Sequence, residues 1–339
     1  MSSLLQEGRR NRRDQERRGR RRRARRRLWA LVATVALGLL ALLVVMVDTA
    51  SSPEHSASSA GRGEVASHHP VRPVNTYGSR LAATQIDPRF RTRVTSGLLL
   101  DLRTGEVLWA RAPRRVLPIA SLTKMMTALI VDSHSHLGEQ VLITRQAVNF
   151  SGSGVGQLPL GKKVSLHTLL FGLLLPSGND AAIALAQRVA GSEAGFVAMM
   201  NARARAMGLG CTHFSTVSGI LDRGNYSCAV DLARMAHALL LRPELAHVVA
   251  TSSAEFPFPI PAGKLYLYNN NPLLQLRYPG TDGVKTGYTT AAGKCLVASA
   301  HRGSRHLVVV LLHSDDPPDQ ARRLLDLGFG PPPRPGGRA

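Results

Sequence analysis

Residues 120–127 read Ala-Ser-Leu-Thr-Lys-Met-Met-Thr, and they begin the helix around which we predict the rest of the fold. Ser121 and Lys124 stand three residues apart, so on a helix their side chains project from the same face. One face of this helix is apolar, which indicates burial in a core; it carries Leu122, Met125, Met126, Leu129 and Ile130. Taken alone, a Ser-x-x-Lys tetrad is also typical of an ordinary helix start, with the serine as a cap and the lysine in solvent.

Two further motifs follow at large separations and give the tetrad its meaning. Ser-Gly-Asn at residues 177–179 comes directly after the helix-breaking Pro176. Lys-Thr-Gly lies at residues 285–287, within an apolar-flanked strand over residues 283–288. In this order and in these settings, the three motifs resemble the active-site set of the serine enzymes that react with penicillin.

Strand patterns occur at both ends of this region, and helical patterns lie between them. Thr104 and Gly105 predict the turn of a hairpin between the strands Gly97–Asp101 and Glu106–Ala110. Three strands are predicted near the other end: Gly283–Tyr288, Lys294–Ala300 and His306–Leu312. This distribution predicts an α+β fold in which the terminal strands meet in one antiparallel sheet.

Apolar periodicity predicts the helices that follow the tetrad: Leu166–Leu175, Asp180–Ala190, Glu193–Met207, Ala229–Leu241 and a last helix near Pro318–Leu327. Ser165 is expected to cap the first of these, and Ser227 the one that begins at Ala229. Asn179 is also in a position to cap the helix that begins at Asp180.

The Ser121–Lys124 pair suits nucleophilic catalysis if the amine is neutral. A serine hydroxyl is a weak nucleophile and needs an adjacent base, whereas a lysine ordinarily keeps its proton up to a pKa near 10.4. Burial, the positive end of a helix and a second cation all lower such a pKa. We expect Lys285 to be that second cation.

The other two motifs supply groups that a peptide substrate needs. Ser177 can relay a proton between Lys124 and the leaving group, and Asn179 can hold a substrate amide and orient Lys124. Lys285 and Thr286 offer a cation and a hydroxyl to a carboxylate. Gly287 allows a substrate backbone to lie close along the strand.

Over roughly residues 84–329, the chain resembles the D-alanyl-D-alanine carboxypeptidases of the low-molecular-mass penicillin-binding type. The resemblance rests on the motif stretches at residues 120–127, 177–182 and 282–289, with weaker support near Met200-Asn201 and Tyr226-Ser227. It implies the β-lactamase/DD-peptidase-like fold, an antiparallel sheet with a helical region. It also implies that the enzyme removes the terminal D-alanine of peptidoglycan stem pentapeptides.

The same resemblance assigns roles to the motif residues. It implies that Ser121 forms the acyl-enzyme, with Lys124 as its base and Ser177 as the relay. Lys285 would anchor the substrate carboxylate, and the backbone N–H groups of Ser121 and Tyr288 would form the oxyanion hole. No cofactor is implied, no Cys/His spacing resembles a metal site, and β-lactam antibiotics are expected to be covalent inhibitors.

One departure from the family concerns residues 215–220, which read Ser-Thr-Val-Ser-Gly-Ile where relatives usually have an Asn-Pro-His-Gly-Leu-like stretch. A D,D-endopeptidase acting on peptidoglycan crosslinks remains the main alternative, because the chemistry would be identical. A class A β-lactamase is less favoured, since the Glu-x-x-Leu-Asn stretch that such enzymes need does not occur between Asn179 and Lys285. A non-catalytic wall-associated protein is disfavoured by the intact motifs.

The N-terminal region predicts membrane attachment. Residues 1–27 contain thirteen Arg and three acidic residues, about half of the +21 formal charge of the chain. Residues 28–47 carry no charge and are long enough to cross a hydrocarbon core of roughly 30 Å. We therefore predict a basic cytoplasmic arm (1–27), a transmembrane signal anchor (28–47), a disordered stalk (48–83), an extracytoplasmic catalytic domain (84–329) and a disordered tail (330–339).

Two other interpretations of the N-terminal region compete with this topology. Cleavage of the N-terminal segment as a signal peptide, with secretion, is the competing interpretation, but Asp48 spoils the best cleavage site. Binding of the Arg-rich arm to nucleic acid is disfavoured by the apolar run that follows it. Of the three cysteines, Cys295 is expected to be a buried free thiol, and the sequence leaves the pairing of Cys211 with Cys228 open.

Overall fold

A computed structural model describes residues 86–155, 158–261 and 263–330. The predicted cytoplasmic arm, signal anchor and stalk, and the predicted tail from residue 331 onward, lie outside these residues. Across the described ranges, no helix has both the length and the apolar character needed to cross a membrane.

The strands of the described residues form one large sheet and three two-stranded pairs. They are β1 (Val94–Asp101), β2 (Val107–Arg111), β3 (Leu117–Pro118), β4 (Gln140–Leu142), β5 (Lys163–Ser165), β6 (Tyr226–Ser227), β7 (Ser253–Pro257), β8 (Lys264–Tyr268), β9 (Thr281–Thr289), β10 (Gly293–Arg302) and β11 (Arg305–Ser314). The large sheet has the order β2-β1-β11-β10-β9, and all its neighbours are antiparallel. This confirms the predicted α+β fold, in which the first and last strands meet.

The large sheet is buried on both faces because its central strands carry apolar side chains at consecutive positions. On one face, Leu98 and Val310 belong to the main core together with the helices. On the other face, Leu99 and Val309 pack with the last helix, Pro317–Phe329. The sheet is therefore the middle of three layers, as its nearly continuous apolar strands require.

The helical region lies between β3 and β9. The structure contains a 3-10 turn at Ala120–Thr123 and helices at Lys124–His134, Arg145–Val148, Leu166–Leu174, Asn179–Ala190, Glu193–Ala206, Ala229–Leu240, Pro243–Ala250 and Pro272–Gln275. Ser165 caps its helix as predicted, its side chain accepting from the backbone N–H of Thr168.

Two predicted caps are wrong. Cys228, not Ser227, is the N-cap residue of the Ala229–Leu240 helix, because Ser227 belongs to β6 and its hydroxyl is bonded to that of Thr212. Gly178, not Asn179, is the N-cap residue of the Asn179–Ala190 helix, and Asn179 is its first helical residue.

The cysteines fall into a bridge and a free thiol. Cys211 and Cys228 form a disulfide with their Cα atoms 5.6 Å apart, an ordinary separation for such a bond. Cys295 is free and buried in β10, as predicted, and burial raises the pKa of its thiol to about 12.

Candidate active site

The amine of Lys124 is the centre of the candidate site. Its Nζ donates to Ser121 Oγ at 2.9 Å, to Asn179 Oδ1 at 2.6 Å and to the carbonyl of Ser218 at 3.0 Å. The Lys124 side chain is 0% exposed, although lysine is almost never fully buried without a specific reason. Three acceptors and complete burial fix the amine within hydrogen-bond reach of the Ser121 hydroxyl.

Ser121 is held by a tight turn that packs against β9. Ala120, at φ +48°, begins the 3-10 turn Ala120–Thr123. Ser121 therefore lies in this turn, and the α-helix begins three residues later at Lys124. Gly287 of β9 lies against this turn, because a Cβ built there would stand 3.2 Å from Ser121 N and 3.0 Å from Ile119 O. The glycine of the third motif thus makes room for the backbone of Ser121, and not only for a substrate as the sequence suggested.

The second motif reaches the same place from the other side. Asn179 accepts from Lys124 through Oδ1, and its Nδ2 donates to the carbonyl of Ser151, so the amide is used by the protein itself. Ser177 is held at φ +69°, a strained conformation for a non-glycine residue and one often found at functional sites. Its Oγ is buried and has no hydrogen-bond partner among the described residues.

The environment of Lys124 favours its neutral form. Burial lowers the pKa of Lys124 well below its ordinary value, the nearby charge of Lys285 lowers it further, and Asp180 partly opposes both. The lowered pKa favours the amine without its third proton, whose lone pair can accept the proton of the Ser121 hydroxyl, as a general base must.

Lys285 is buried in β9 close to this pair. Burial lowers its pKa to about 7, and its Nζ donates to the carbonyl of Thr286 at 2.9 Å. Thr286 is half-buried, and Tyr288 is 68% exposed, so the strand leads from the interior to the surface beside Ser121. The sequence-predicted residues are thus brought together, except that no hydrogen bond links Ser177, Thr286 or Tyr288 to Lys124 in the described residues.

Sequence reasoning missed two contributors. The carbonyl of Ser218 accepts from Lys124, and Gly219 beside it lies so close to Ala120 that a Cβ would stand 2.0 Å from the Ala120 carbonyl oxygen. A backbone acceptor leaves no signature in side-chain patterns; the signal in the sequence was the departure from the family at residues 215–220.

The second missed contributor is Asp180, which the sequence showed only as a motif neighbour. Its carboxylate is fully buried and accepts from the backbone N–H groups of Val155 at 2.9 Å and of Ala181 at 2.8 Å. Burial raises its pKa, and those hydrogen bonds and Lys124 counteract the rise. Asp180 therefore ties the backbone at Val155 to the start of the Asn179–Ala190 helix.

A five-stranded antiparallel sheet with a Ser–Lys pair at the start of a helix beside its edge strand defines the DD-peptidase fold. The chain belongs to the D-alanyl-D-alanine carboxypeptidase family, whose sequence model matches residues 82–316, more than half of the chain.

Individual relatives agree with this assignment. The chain is 34% identical over 242 residues to the D-alanyl-D-alanine carboxypeptidase DacF of Bacillus subtilis, covering 69% of this chain and 61% of that protein. It is 38% identical over 240 residues to DacB2 of Mycobacterium tuberculosis, covering 68% and 81%. Against the carboxypeptidase of Streptomyces strain K15 the identity is 33% over 282 residues, covering 76% and 96%.

Solved structures show the same fold. A D-alanyl-D-alanine carboxypeptidase from M. tuberculosis H37Rv superposes with a TM-score of 0.66 at 36% identity, covering 71% of this chain and 92% of that one. The Streptomyces K15 DD-transpeptidase gives 0.65 at 31% identity, covering 70% and 97%. The match covers only 61% of the length of DacF of B. subtilis, 61% of DacD of Salmonella typhimurium and 62% of DacD of Escherichia coli.

Proposed function

We propose that this protein is a serine-type D-alanyl-D-alanine carboxypeptidase that removes the terminal D-alanine of peptidoglycan stem pentapeptides. The observation that carries the proposal is the buried Lys124 amine, 2.9 Å from the Ser121 hydroxyl and with its pKa lowered. A neutral amine at that distance is what activation of a serine requires.

The proposed reaction has two halves. Ser121 Oγ attacks the carbonyl carbon of the penultimate D-alanine while its proton passes to Lys124 Nζ. The peptide C–N bond then breaks, and the departing D-alanine amine receives that proton, with the Ser177 hydroxyl as the relay. Water, deprotonated by the same amine, cleaves the acyl-enzyme and restores Ser121.

The third motif is proposed to bind the substrate. Lys285 and the Thr286 hydroxyl would take the terminal carboxylate, and the strand from Gly287 to Tyr288 would align the peptide. The backbone N–H groups of Ser121 and Tyr288 would stabilise the oxyanion. Because Asn179 Oδ1 accepts from Lys124 and one of the two Nδ2 N–H groups donates to Ser151, we assign Asn179 chiefly to orienting Lys124 and propose that its second N–H binds the substrate amide.

β-Lactam antibiotics would acylate the same serine. Their strained amide carbonyl would take the place of the peptide carbonyl, and their carboxylate would take the place of the peptide's terminal carboxylate. The acceptor of the acyl group is the open chemical question. A structural relative is named a DD-transpeptidase, so an amine acceptor is the second candidate beside water, and a crosslink substrate would give an endopeptidase.

One experiment separates these functions. The full chain in detergent is incubated with diacyl-Lys-D-Ala-D-Ala, with and without an added amine acceptor, and with a crosslinked peptide dimer. We expect D-alanine release with free tetrapeptide-like acid as the product, and none from the Ser121→Ala variant. A dominant aminolysis product would identify a transpeptidase, and preferential cleavage of the dimer an endopeptidase.

We further propose that residues 28–47 remain as a transmembrane anchor and that the catalytic domain is extracytoplasmic. The charge-free run after the Arg-rich arm and the Cys211–Cys228 disulfide, a bond typical of oxidising compartments, support this proposal. Cell fractionation followed by mass analysis of the mature protein tests it. A protein in the culture fluid that begins near Ser51 would contradict it.

A further inference from the structure

Residues 215–222, called here the wall, contact Lys124 and residues on either side of the Ser121–Lys124 pair. The carbonyl of Ser218 accepts from Lys124 Nζ at 3.0 Å, and the carbonyl of Val217 accepts from Thr127 Oγ1 at 2.6 Å. Gly219 lies directly against the Ala120 carbonyl. The wall therefore covers the amine of Lys124 and the turn that carries Ser121.

The wall contains no helix or strand, so side chains must fix its shape. Asn225 is 0% exposed, and its Oδ1 accepts from the backbone N–H groups of Ser215 at 3.1 Å and Thr216 at 3.2 Å. Its Nδ2 donates to both of their hydroxyls at 3.0 Å and to the carbonyl of Leu221. One buried amide thus satisfies both ends of the wall.

The far end of the wall is tied to the sheet, since Thr289 at the end of β9 donates to Asp222. The base of the loop is closed by the Cys211–Cys228 disulfide. Next to it, Asp231 accepts from Cys211 N at 2.7 Å and from Thr212 Oγ1 at 2.8 Å. The wall accordingly lies inside a loop that the disulfide closes, and hydrogen bonds from Asn225 and Thr289 hold its ends.

We propose that the Cys211–Cys228 disulfide and Asn225 are positioning groups for the reaction, which hold the wall over Lys124 so that the amine stays dry and aimed at Ser121. The inference rests on the proposed function, because it concerns the base of that same reaction. Only the wall supplies a backbone acceptor to this amine in the described residues. Lys124 also neighbours two polar groups, the Ser121 hydroxyl and the Asn179 amide, and two titratable groups, Lys285 on β9 and Asp180 in the Asn179–Ala190 helix.

A loosened wall has a predictable signature. Water would reach Lys124, and because burial is the main cause of its lowered pKa, the pKa would rise. The pH above which acylation becomes fast would rise with it. A mere loss of stability would lower the amount of active enzyme without moving the pH profile of the remainder.

The test compares three variants of the full chain in detergent: Asn225→Asp, the double variant Cys211→Ser/Cys228→Ser, and Ser192→Ala. Ser192 caps the first turn of the Glu193–Ala206 helix by accepting from Gly195 N, nine residues before Asn201, the residue of that helix that bonds Phe214 next to the wall. Its variant is therefore the control for general destabilisation. The rate of Ser121 acylation by a fluorescent penicillin is measured from pH 5.5 to 9.5 and scaled to titrated active sites.

We expect both wall variants to lose about tenfold or more in acylation near neutral pH, part of the roughly 10²–10⁴ that a positioned base contributes. Their acid limbs should shift to higher pH, while Ser192→Ala keeps the wild-type profile. Treatment of folded wild-type protein with a phosphine reductant should reproduce the shift and leave the double variant unchanged. This arm decides the role of the disulfide if the double variant does not fold.

Unshifted profiles in Asn225→Asp and in reduced wild type would overturn the inference. So would three free thiols in the unreduced, denatured protein, because no bridge would then close the loop. A wild-type protein that is not acylated at all would instead refute the proposed function, which keeps the two failures distinguishable.

Discussion

The buried Lys285 predicts an unusual pH dependence of substrate capture. Its pKa is lowered to about 7 by burial, so the free enzyme loses this cation just above neutrality. A carboxylate-binding lysine must be protonated, and kcat/KM reports the ionisation of the free enzyme. Because one pH unit above the pKa removes about nine-tenths of the ammonium form, each further unit should cost up to about tenfold in carboxylate capture.

The assay compares diacyl-Lys-D-Ala-D-Ala with the same peptide amidated at its C-terminus, from pH 6 to 9. Ionisation of Lys124 affects both peptides equally, so the ratio of their kcat/KM values isolates Lys285. We expect the ratio of acid to amide to fall above pH 7 in the wild type. It should stay flat in Lys285→Arg, whose guanidinium keeps its charge.

Parallel pH profiles for the acid and the amide in the wild-type enzyme would refute this reasoning. The carboxylate would then be bound by a group that does not titrate in this range, and Lys285 would act only through its charge on Lys124.

Three further predictions follow from the same contacts. Lys124→Arg should lower the acylation rate by at least about a hundredfold, since a guanidinium cannot accept the Ser121 proton, and stopped-flow labelling with penicillin measures it; retention of a tenth of the rate would point to another base. Gly219→Ala should lower the free energy of unfolding by at least about 1–2 kcal/mol and slow acylation, because the residue is at φ +77° and a Cβ there would meet the Ala120 carbonyl. Gly208 is at φ +67° with open space around it, so Gly208→Ala is the control and should show only the conformational cost. Denaturant unfolding measures both variants. Above pH 7 the unfolded chain keeps the Lys285 proton while the folded chain releases it, because burial lowers the folded-state pKa of Lys285 to about 7. The free energy of unfolding of the wild type should therefore rise relative to Lys285→Met by up to about 1.4 kcal/mol per pH unit between pH 7 and 9. Urea titrations measure this gain, and its absence would mean that Lys285 titrates normally in the folded chain.

The sequence predicted most of the sheet because strand signals are local. The Thr104-Gly105 turn and the apolar runs of β10 and β11 gave the strands within a few residues. The pairing of β1 with β11 followed from the need to bury strands found at both ends of one domain. The caps failed at Ser227 because a two-residue strand pairing with β3 competes for that residue, and short long-range pairings have no sequence period.

The candidate site was predictable as a set of side chains but not as a network. Ser121, Lys124 and Asn179 were expected together, and they are joined by hydrogen bonds. The Ser218 carbonyl could not be foreseen, since every residue offers the same backbone acceptor and only tertiary structure selects one. The unbonded hydroxyl of Ser177 was equally hidden, because the sequence cannot report which polar groups remain without a partner.

The pairing of Val94 with Ser314 has a consequence for how the protein folds during its synthesis. The hairpin of β1 and β2 is made before most of the domain, but its neighbour in the sheet, β11, is the last of the described strands to emerge. Contacts of such sequence separation form slowly, because the intervening chain must be closed into a loop first. The Ala120–Thr123 turn packs against β9, another late strand, so a nascent or truncated chain carries Ser121 without an assembled site. Enzymatic competence should therefore appear abruptly, after the ribosome has passed residue 314, and stalled chains should present an unpaired β1 edge that favours aggregation.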